Sequence, residues 1–297
     1  MVETTTSTGG GQGRSKWNAY WRLMRFDKPI GILLLLWPTL WALWIAGEGS
    51  PSIRNTVIFC AGVVLMRAAG CIMNDVADRD IDPHVHRTRS RPIAAGELTV
   101  RDAMWMFGIL MVLAFGLVLL TNSLTVRLAF AGAALAASYP FFKRITHVPQ
   151  VVLGVAFGWG VVMAFAAETN SVPAVAWLLL LINVFWSVIY DTLYAMVDRD
   201  DDIRVGVKST AILFGRHDLL VLRILKAVML FLLVWAGLIL ELSWPWFAAI
   251  AVTAGLFLLQ QIRVRSRDPE ACFRAFLNNN WIGLVLFAGL LAHYWMK

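Results

Sequence analysis

Nine apolar stretches dominate the chain, and short polar segments separate them. They cover residues 29–46, 55–73, 103–121, 126–142, 150–167, 173–190, 219–240, 244–261 and 277–295. Because about 20 apolar residues cross a bilayer as an α-helix, this pattern predicts an all-α fold, an integral membrane bundle of nine transmembrane helices. The composition agrees, since 59% of the residues are hydrophobic and 15% are charged, whereas soluble domains carry about 25% charged residues.

Lysine and arginine residues are distributed unevenly between the two ends of the predicted helices. They are frequent before the first stretch and after the second, fourth, sixth and eighth, whereas Arg54, Arg127 and Lys297 fall on the opposite side. Cytoplasmic loops of membrane proteins carry such an excess of positive charge, so we expect the N-terminus in the cytoplasm. The net charge of +7 then reflects membrane topology and does not indicate nucleic-acid binding, because no basic segment is interleaved with aromatic residues on a soluble module.

The N-terminal segment differs in composition from the rest of the chain. Residues 1–16 are rich in Thr, Gly and Ser, which predicts a disordered tail, and residues 17–297 then form a single transmembrane domain. The three cysteines, Cys60, Cys71 and Cys272, are too few and too scattered for a metal site.

Two segments concentrate aspartate residues at the ends of apolar stretches. CIMNDVADRDID (71–82) follows the second stretch, and YDTLYAMVDRDDD (190–202) follows the sixth. Within them, DRDID (78–82) and DRDDD (198–202) match at four of five positions. Both segments fall on the predicted cytoplasmic side. We interpret them as a weak internal duplication that places two acidic helix ends face to face.

The spacing of the polar residues in these segments favours a divalent metal. On a continuous helix, Asn74, Asp78 and Asp82 would each be rotated by about 40° from the one before. Asp198 and Asp202 repeat this four-residue step. Like charges stacked on one face of a helix repel each other, and a divalent cation would neutralise them. Oxygen ligands without His or Cys favour Mg²⁺, which binds through a few carboxylates and substrate phosphates. Solvated loop carboxylates are the simpler alternative, but the match between the two segments argues against it.

Basic residues beside the acidic segments suit a polyanion. HRTRSRP follows the first segment and GVKST follows the second. Four side chains in them are candidates for holding a diphosphate by charge-assisted hydrogen bonds, although each is also explained as a topology charge: Arg87, Arg89, Arg91 and Lys208. A membrane, Mg²⁺ and a diphosphate occur together in the recognition of a polyprenyl diphosphate, whose tail dissolves in lipid while its head lies at the interface.

The pattern N-D-x-x-D-x-x-x-D at 74–82, together with D-x-x-x-D at 198–202, resembles the UbiA superfamily of intramembrane aromatic prenyltransferases. Three further stretches are similar to the branch that prenylates 4-hydroxybenzoate in ubiquinone biosynthesis. They are RLMRFDKPIGILLLLWPTLWALW (22–44), KSTAILFG (208–215) and NNNWIGLVLF (278–287). The resemblance runs from about residue 17 to the end of the chain.

The resemblance implies a nine-helix bundle around a central cavity that opens sideways to lipid. It also implies a bacterial cytoplasmic (inner) membrane location, with the active site at the cytoplasmic side. Asn74 and Asp78 match positions that hold one Mg²⁺, and Asp198 and Asp202 match those that hold another. Supporting or alternate ligands among the remaining acidic residues are Asp82, Asp75, Asp191 and Asp201.

The same resemblance implies residues that bind polyprenyl diphosphate and 4-hydroxybenzoate, without dividing them between diphosphate and carboxylate. The basic candidates are Arg25, Lys28, Arg67, Arg91, Lys143 and Lys208. Arg67 is distinctive from the sequence alone because it lies inside the second apolar stretch, where a charge needs a partner or a function. Snorkelling toward a polar cavity is the alternative explanation for it.

The implied reaction is a Mg²⁺-assisted electrophilic aromatic substitution. An allylic diphosphate leaves when metals and arginines stabilise its charge, and the ring of 4-hydroxybenzoate attacks the cation through C3, ortho to its hydroxyl. Asp75 and Asp191 are candidates for accepting or steering the ring proton. Aromatic faces can stabilise the cation, and the candidate wall residues are Tyr139, Phe141, Phe142, Trp186, Tyr190 and Tyr194.

Two other functions compete with this interpretation. A prenyltransferase of the menaquinone or haem branch would share the acidic motifs. An ion-coupled transporter also uses carboxylates and internal repeats, but its carboxylates normally lie in mid-membrane, whereas these lie at helix ends.

Overall fold

The computed structural model describes residues 15–297, apart from the side chain of Lys143. Within those residues the chain is helical and forms no strand. In chain order the α-helices are α1 (Lys16–Leu23), α2 (Ile30–Ala46), α3 (Ile53–Ala77), α4 (Val100–Val118), α5 (Ser123–Ile145), α6 (Pro149–Thr169), α7 (Ala174–Val197), α8 (Arg199–Val205), α9 (Thr210–Phe214), α10 (Asp218–Ile239), α11 (Trp244–Arg263), α12 (Pro269–Leu277) and α13 (Asn279–Trp295). Two 3-10 turns lie at Asp82–His84 and Gly215–His217.

Each predicted apolar stretch coincides with one helix, although α7 continues seven residues past the predicted end at residue 190. By length and composition, eight helical segments of the described chain are suited to cross a membrane, and α2, with 17 residues, is a shorter apolar helix. The chain is therefore an all-helical, multi-pass membrane protein. The predicted tail extends one residue too far, because Lys16 already belongs to α1, where its ammonium lies 3.0 Å from Asp102 of α4. Residues 1–14 lie outside the described part of the chain.

Stacked tryptophans hold the centre of the bundle together. Trp41 of α2 and Trp186 of α7 are fully buried, with ring centroids 5.4 Å apart. Each indole N–H has a partner on or beside α13, since Trp41 donates to the Gly283 carbonyl at 3.2 Å and Trp186 to Asn279 Oδ1 at 3.1 Å. Because no water satisfies polar groups inside a bilayer, these bonds make the close packing of the three helices possible.

The acidic segments do not continue as single helices. α3 ends at Ala77 with Asp78 as its C-cap, and Asp82 begins the first 3-10 turn. Likewise α7 ends at Val197, and Asp198 lies between α7 and α8. The expectation of one continuous helical face is therefore wrong for both segments. Aspartate competes with the backbone for hydrogen bonds and favours helix ends, which explains the breaks.

Helix α6 packs closely against the backbone of α7 at Gly154. A Cβ atom at that position would lie 2.8 Å from the Val184 Cα and 3.1 Å from the Ser187 Cβ. Asn183 also donates to the Gly154 carbonyl at 2.9 Å. A side chain here would therefore force the two helices apart.

We expect Gly154→Ala to lower the free energy of unfolding by about 1–3 kcal/mol, because it overpacks a contact with backbone. The measurement is the thermal unfolding temperature in detergent. Gly108→Ala is the matched control, since nothing lies within 4 Å of a Cβ at that position. Equal unfolding temperatures for the two variants would contradict the close packing of α6 on α7.

Candidate active site

A polar cavity of about 200 Å³ lies between the acidic ends of α3 and α7. Six amide or carboxylate side chains of the two acidic segments line it: Asn74, Asp78, Asp82, Asp191, Asp198 and Asp202. The prediction that the two acidic helix ends face each other is therefore confirmed.

Arginines from the loop between α3 and α4 reach across this cavity. Arg87 Nε donates to Asp198 Oδ1 at 2.9 Å, and Arg91 Nη1 donates to Asp82 Oδ2 at 2.8 Å. The Arg87 guanidinium also lies 4.4 Å from the ring centroid of Tyr194, a cation–π distance. One acidic segment is thus connected to the other through the arginines of a single loop.

Burial and charge act in opposite directions on these groups. Burial raises the pKa of the Asp82 carboxyl group above its ordinary value, although the neighbouring Arg91 opposes the shift. Burial alone would lower the pKa of Arg91, but the Asp75 and Asp82 carboxylates raise it above its ordinary value. Arg91 therefore stays charged and is held on the cavity wall.

Asp75 is not among the residues that line the cavity. Its side chain is 1% exposed and accepts from Arg25 Nη2 at 2.8 Å, while Arg91 Nη1 lies 3.2 Å away. Removing one partner of such a buried pair is strongly destabilising, because a charge is left without compensation. Asp75 therefore holds two arginines in place, and Asp191 is the candidate proton acceptor that lies on the wall.

The other residues singled out in the sequence are spread more widely. Arg91, Tyr194 and Lys208 line the polar cavity, and the Lys208 ammonium donates to the Ile145 carbonyl at 3.1 Å. Lys28 is exposed on the surface and lines neither of the two cavities described in this section. Asp201 lies 3.6 Å from Arg204 instead of on the wall. The side chain of Lys143 lies outside the described residues.

Gln150 of α6 lies on the wall of the polar cavity and was not predicted from the sequence, whereas Arg87 was predicted only as one of four candidates for holding a diphosphate. The signal for Gln150 was a buried polar side chain at the start of an apolar stretch, directly after Pro149. For Arg87 the signal was its place in a run of three alternating arginines. Its pairing with Asp198 could not be predicted, because the two residues are 111 positions apart in the sequence.

A second cavity of about 450 Å³ lies between helices α2 to α6. Apolar side chains of α3, α4, α5 and α6 form most of its wall, and Arg67 and Tyr139 are among its few polar members. Tyr139 lines both cavities and hydrogen-bonds with the Asn74 amide. The two cavities therefore meet at Tyr139. From Tyr139 to Thr125, which also lines the cavity, α5 rises about 21 Å.

The apolar cavity reaches the outer surface between α4 and α5. Phe115 of α4 and Phe130 of α5 line it, yet their side chains are 41% and 63% exposed. Their rings meet edge-to-face at 5.7 Å between centroids. A cavity inside the bundle is therefore present, and this aromatic pair lies both on its wall and on the outer surface of the bundle.

The donor set of the polar cavity fits Mg²⁺, which prefers carboxylate and amide oxygens. In residues 15–297, no group of three or more His, Cys, Asp or Glu side chains converges into a metal site. In this structure Asp82 is paired with Arg91 and Asp198 with Arg87. The residues able to hold a cation are the amide of Asn74 and the carboxylates on the wall.

Comparisons with known proteins agree with this geometry. Residues 35–291 match the model of the UbiA prenyltransferase family. A 4-hydroxybenzoate octaprenyltransferase of Yersinia pseudotuberculosis is 56% identical over 286 residues, which cover 96% of this chain and 99% of that protein. A 4-hydroxybenzoate octaprenyltransferase of Serratia proteamaculans is 53% identical, with the same coverage of both chains.

Solved structures share the fold at lower identity. A UbiA homologue from Aeropyrum pernix K1, in its apo form, has a TM-score of 0.79 at 23% identity and covers 88% of this chain and 97% of its own. A UbiA homologue from Archaeoglobus fulgidus bound to GPP and Mg²⁺ has a TM-score of 0.68 at 20% identity, covering 93% of this chain and 99% of its own. From the family match, the high identity of full-length relatives and the common fold, we conclude that this chain belongs to the UbiA prenyltransferase family.

Proposed function

We propose that this protein transfers a polyprenyl group from a polyprenyl diphosphate to C3 of 4-hydroxybenzoate, releasing diphosphate, in ubiquinone biosynthesis. The observation that carries the proposal is the junction at Tyr139, where a polar cavity with acidic and basic walls meets an apolar cavity. A polyprenyl diphosphate has a charged head and a hydrocarbon tail, so its binding site needs a polar cavity and an apolar cavity next to each other. The names of the two bacterial relatives support the acceptor and the donor class.

The polar cavity is suited to hold the diphosphate together with metal. We assign Asn74 and Asp78 to one Mg²⁺ and Asp198 and Asp202 to a second, with Asp82 in support. When bound, Mg²⁺ supplies positive charge that stabilises the leaving diphosphate. Three cationic side chains lie on the wall: Arg87, Arg91 and Lys208. They would donate hydrogen bonds to the oxygens of the diphosphate. Arg87 and Arg91 are able to exchange their carboxylate partners for phosphate oxygens.

The apolar cavity is suited to hold the prenyl tail. Its wall consists of aliphatic and aromatic side chains with almost no hydrogen-bonding groups, so a hydrocarbon chain buries its surface there without leaving polar atoms unpaired. A tail longer than the cavity continues between α4 and α5 into lipid, past Phe115 and Phe130. Chain length is then limited by the donor that the cell makes more than by the protein.

Arg67 is placed to recognise the carboxylate of the acceptor. Its guanidinium lines the apolar cavity near Tyr139, and it packs so closely on α2 that a Cβ at Gly31 would lie 2.1 Å from its Nε. A buried guanidinium in an apolar wall needs an anionic partner. The carboxylate of 4-hydroxybenzoate would supply it and would direct the ring toward the reacting carbon of the donor.

The ring proton needs an acceptor after attack at C3. We assign this role to Asp191, since its carboxylate lies on the cavity wall, whereas Arg25 and Arg91 hold Asp75. Water must be excluded because it would trap the allylic cation. The position of the junction inside the helix bundle provides that exclusion.

The direct test supplies the purified protein with geranyl diphosphate, Mg²⁺ and a panel of aromatic acceptors. We expect 4-hydroxybenzoate to be prenylated at C3, and benzoate to react hardly at all, because the 4-hydroxyl group activates the ortho carbons. Mass spectrometry identifies the product. Preferential prenylation of dihydroxynaphthoate would place the protein in the menaquinone branch, and solute flux into proteoliposomes without any prenylated product would indicate a transporter.

We expect Asp78→Ala and Asp198→Ala each to lower turnover by about 100-fold or more, because each removes charge stabilisation from the leaving diphosphate. EDTA should have the same effect on the wild type, with recovery on adding Mg²⁺. The matched controls are Asp80→Ala and Asp200→Ala, which alter exposed aspartates of the same two motifs and should stay close to wild type. Full activity in EDTA, or equal losses in all four variants, would contradict the two-metal assignment.

We also propose nine membrane crossings, with α2 among them and with the N-terminus and the active site on the cytoplasmic side of the inner membrane. The Lys and Arg asymmetry of the loops supports this orientation.

Single cysteines test this topology. In a background without the three native cysteines, we expect a membrane-impermeant maleimide to label Ser171→Cys in intact cells and Ala95→Cys only after the membrane is opened. Both positions are exposed, so accessibility does not limit the reaction. Labelling of Ala95→Cys in intact cells would contradict the orientation.

A further inference from the structure

An arginine occupies the same place in both acidic motifs, directly after the first aspartate. A guanidinium inside a cation-binding motif is unexpected, because it competes with the metal for the same carboxylates. In the first motif, Arg79 points to the surface, where it is 51% exposed and lies 3.6 Å from Asp80. In the second motif, Arg199 is turned away from the cavity and hydrogen-bonds with Asp218.

Asp218 is the first residue of α10 and is completely buried. Besides Arg199, it binds Arg267 of the loop between α11 and α12, with Nη2 donating at 2.9 Å and Nε at 3.1 Å. The Leu219 N–H donates to the same carboxylate at 2.6 Å. The burial of this carboxylate is tolerated because several donors surround it. Three connections of the bundle therefore meet at one side chain.

Arg267 has an unusual backbone conformation. Its backbone φ of +57° is left-handed, which a residue with a side chain seldom adopts. Its Nη2 also donates to the Arg216 carbonyl at 3.0 Å. Two guanidiniums are thus held on one carboxylate behind the cavity, and the Arg267 contact keeps Asp218 oriented toward Arg199.

A released Arg199 would reach the metal-binding wall easily. It directly follows Asp198 and stands three residues before Asp202 on α8, and side chains three apart on a helix are neighbours. Asp198 already pairs with Arg87. A second guanidinium would compete with a cation for the carboxylate oxygens of this half of the wall.

We propose that Asp218 is a positioning residue that keeps the Arg199 guanidinium away from Asp198 and Asp202 and so maintains cation affinity at the second acidic motif. This inference rests on the proposed function, because it concerns the same metal-binding wall. It also explains why the second motif contains an arginine, which connects the turn at Asp198 to α10.

The experiment measures Mn²⁺ binding to the purified protein by electron paramagnetic resonance, alongside the Mg²⁺ dependence of prenyl transfer. Asp218→Asn keeps the shape and removes the charge, and we expect it to weaken Mn²⁺ binding by about tenfold or more. Adding Arg199→Gln removes the competing guanidinium and should restore binding to within about threefold of wild type. Arg79→Gln is the matched control in the first motif and should leave Mn²⁺ binding unchanged.

Unchanged Mn²⁺ binding in folded Asp218→Asn overturns the proposal, and so does a double variant that binds as weakly as Asp218→Asn. If Asp218→Asn does not fold, the double variant carries the test, because it leaves only the Arg267 guanidinium without its carboxylate, and that side chain is 38% exposed. A double variant that unfolds, or that folds but binds Mn²⁺ tenfold more weakly than wild type, would show that Asp218 is a scaffold only. A wild type that fails to bind Mn²⁺ would instead refute the proposed function.

Discussion

Carboxylates gathered inside a helix bundle must be paired with positive charge, and the rest of this structure depends on that constraint. Buried, unpaired carboxylates would cost several kcal/mol each. Asp75, Asp82, Asp198 and Asp218 all bind arginines that come from other parts of the chain. These ion pairs fix the loop after α3 over the end of α7. They create a preformed polar cavity whose charges are available to a ligand.

The same constraint separates the roles of similar residues. Asp75 and Asp218 are the most deeply buried of the four and bind two arginines each. They act as anchors behind the wall. Asp82 and Asp198 each bind an arginine that itself lines the cavity, so both partners of each pair remain accessible to a diphosphate with its metal. The anchors hold the wall in place, and the accessible pairs are the ones that we propose to bind the substrate's charged head.

Much of the fold and part of the site could be predicted from the sequence. Apolar runs give helices reliably in a membrane, and the repeated acidic motif identified Asn74, Asp78, Asp198 and Asp202 as neighbours on one wall. Local periodicity failed where the chain turns, at Asp82 and after Val197, because helix ends depend on capping. It also could not separate Asp75 from Asp191 or Lys28 from Lys208, since those differences arise from partners distant in the sequence.

The central claim is that one donor spans both cavities, with its diphosphate between the two acidic motifs and its tail between α3, α4 and α5. A structure of the protein with Mg²⁺ and a non-reactive geranyl thiolodiphosphate tests it most directly. The account predicts metal density bridging the diphosphate to Asp78 and Asp198, and a hydrocarbon chain running past Tyr139 toward Phe115. A diphosphate bound away from these aspartates, or a tail that leaves the apolar cavity empty, would contradict it.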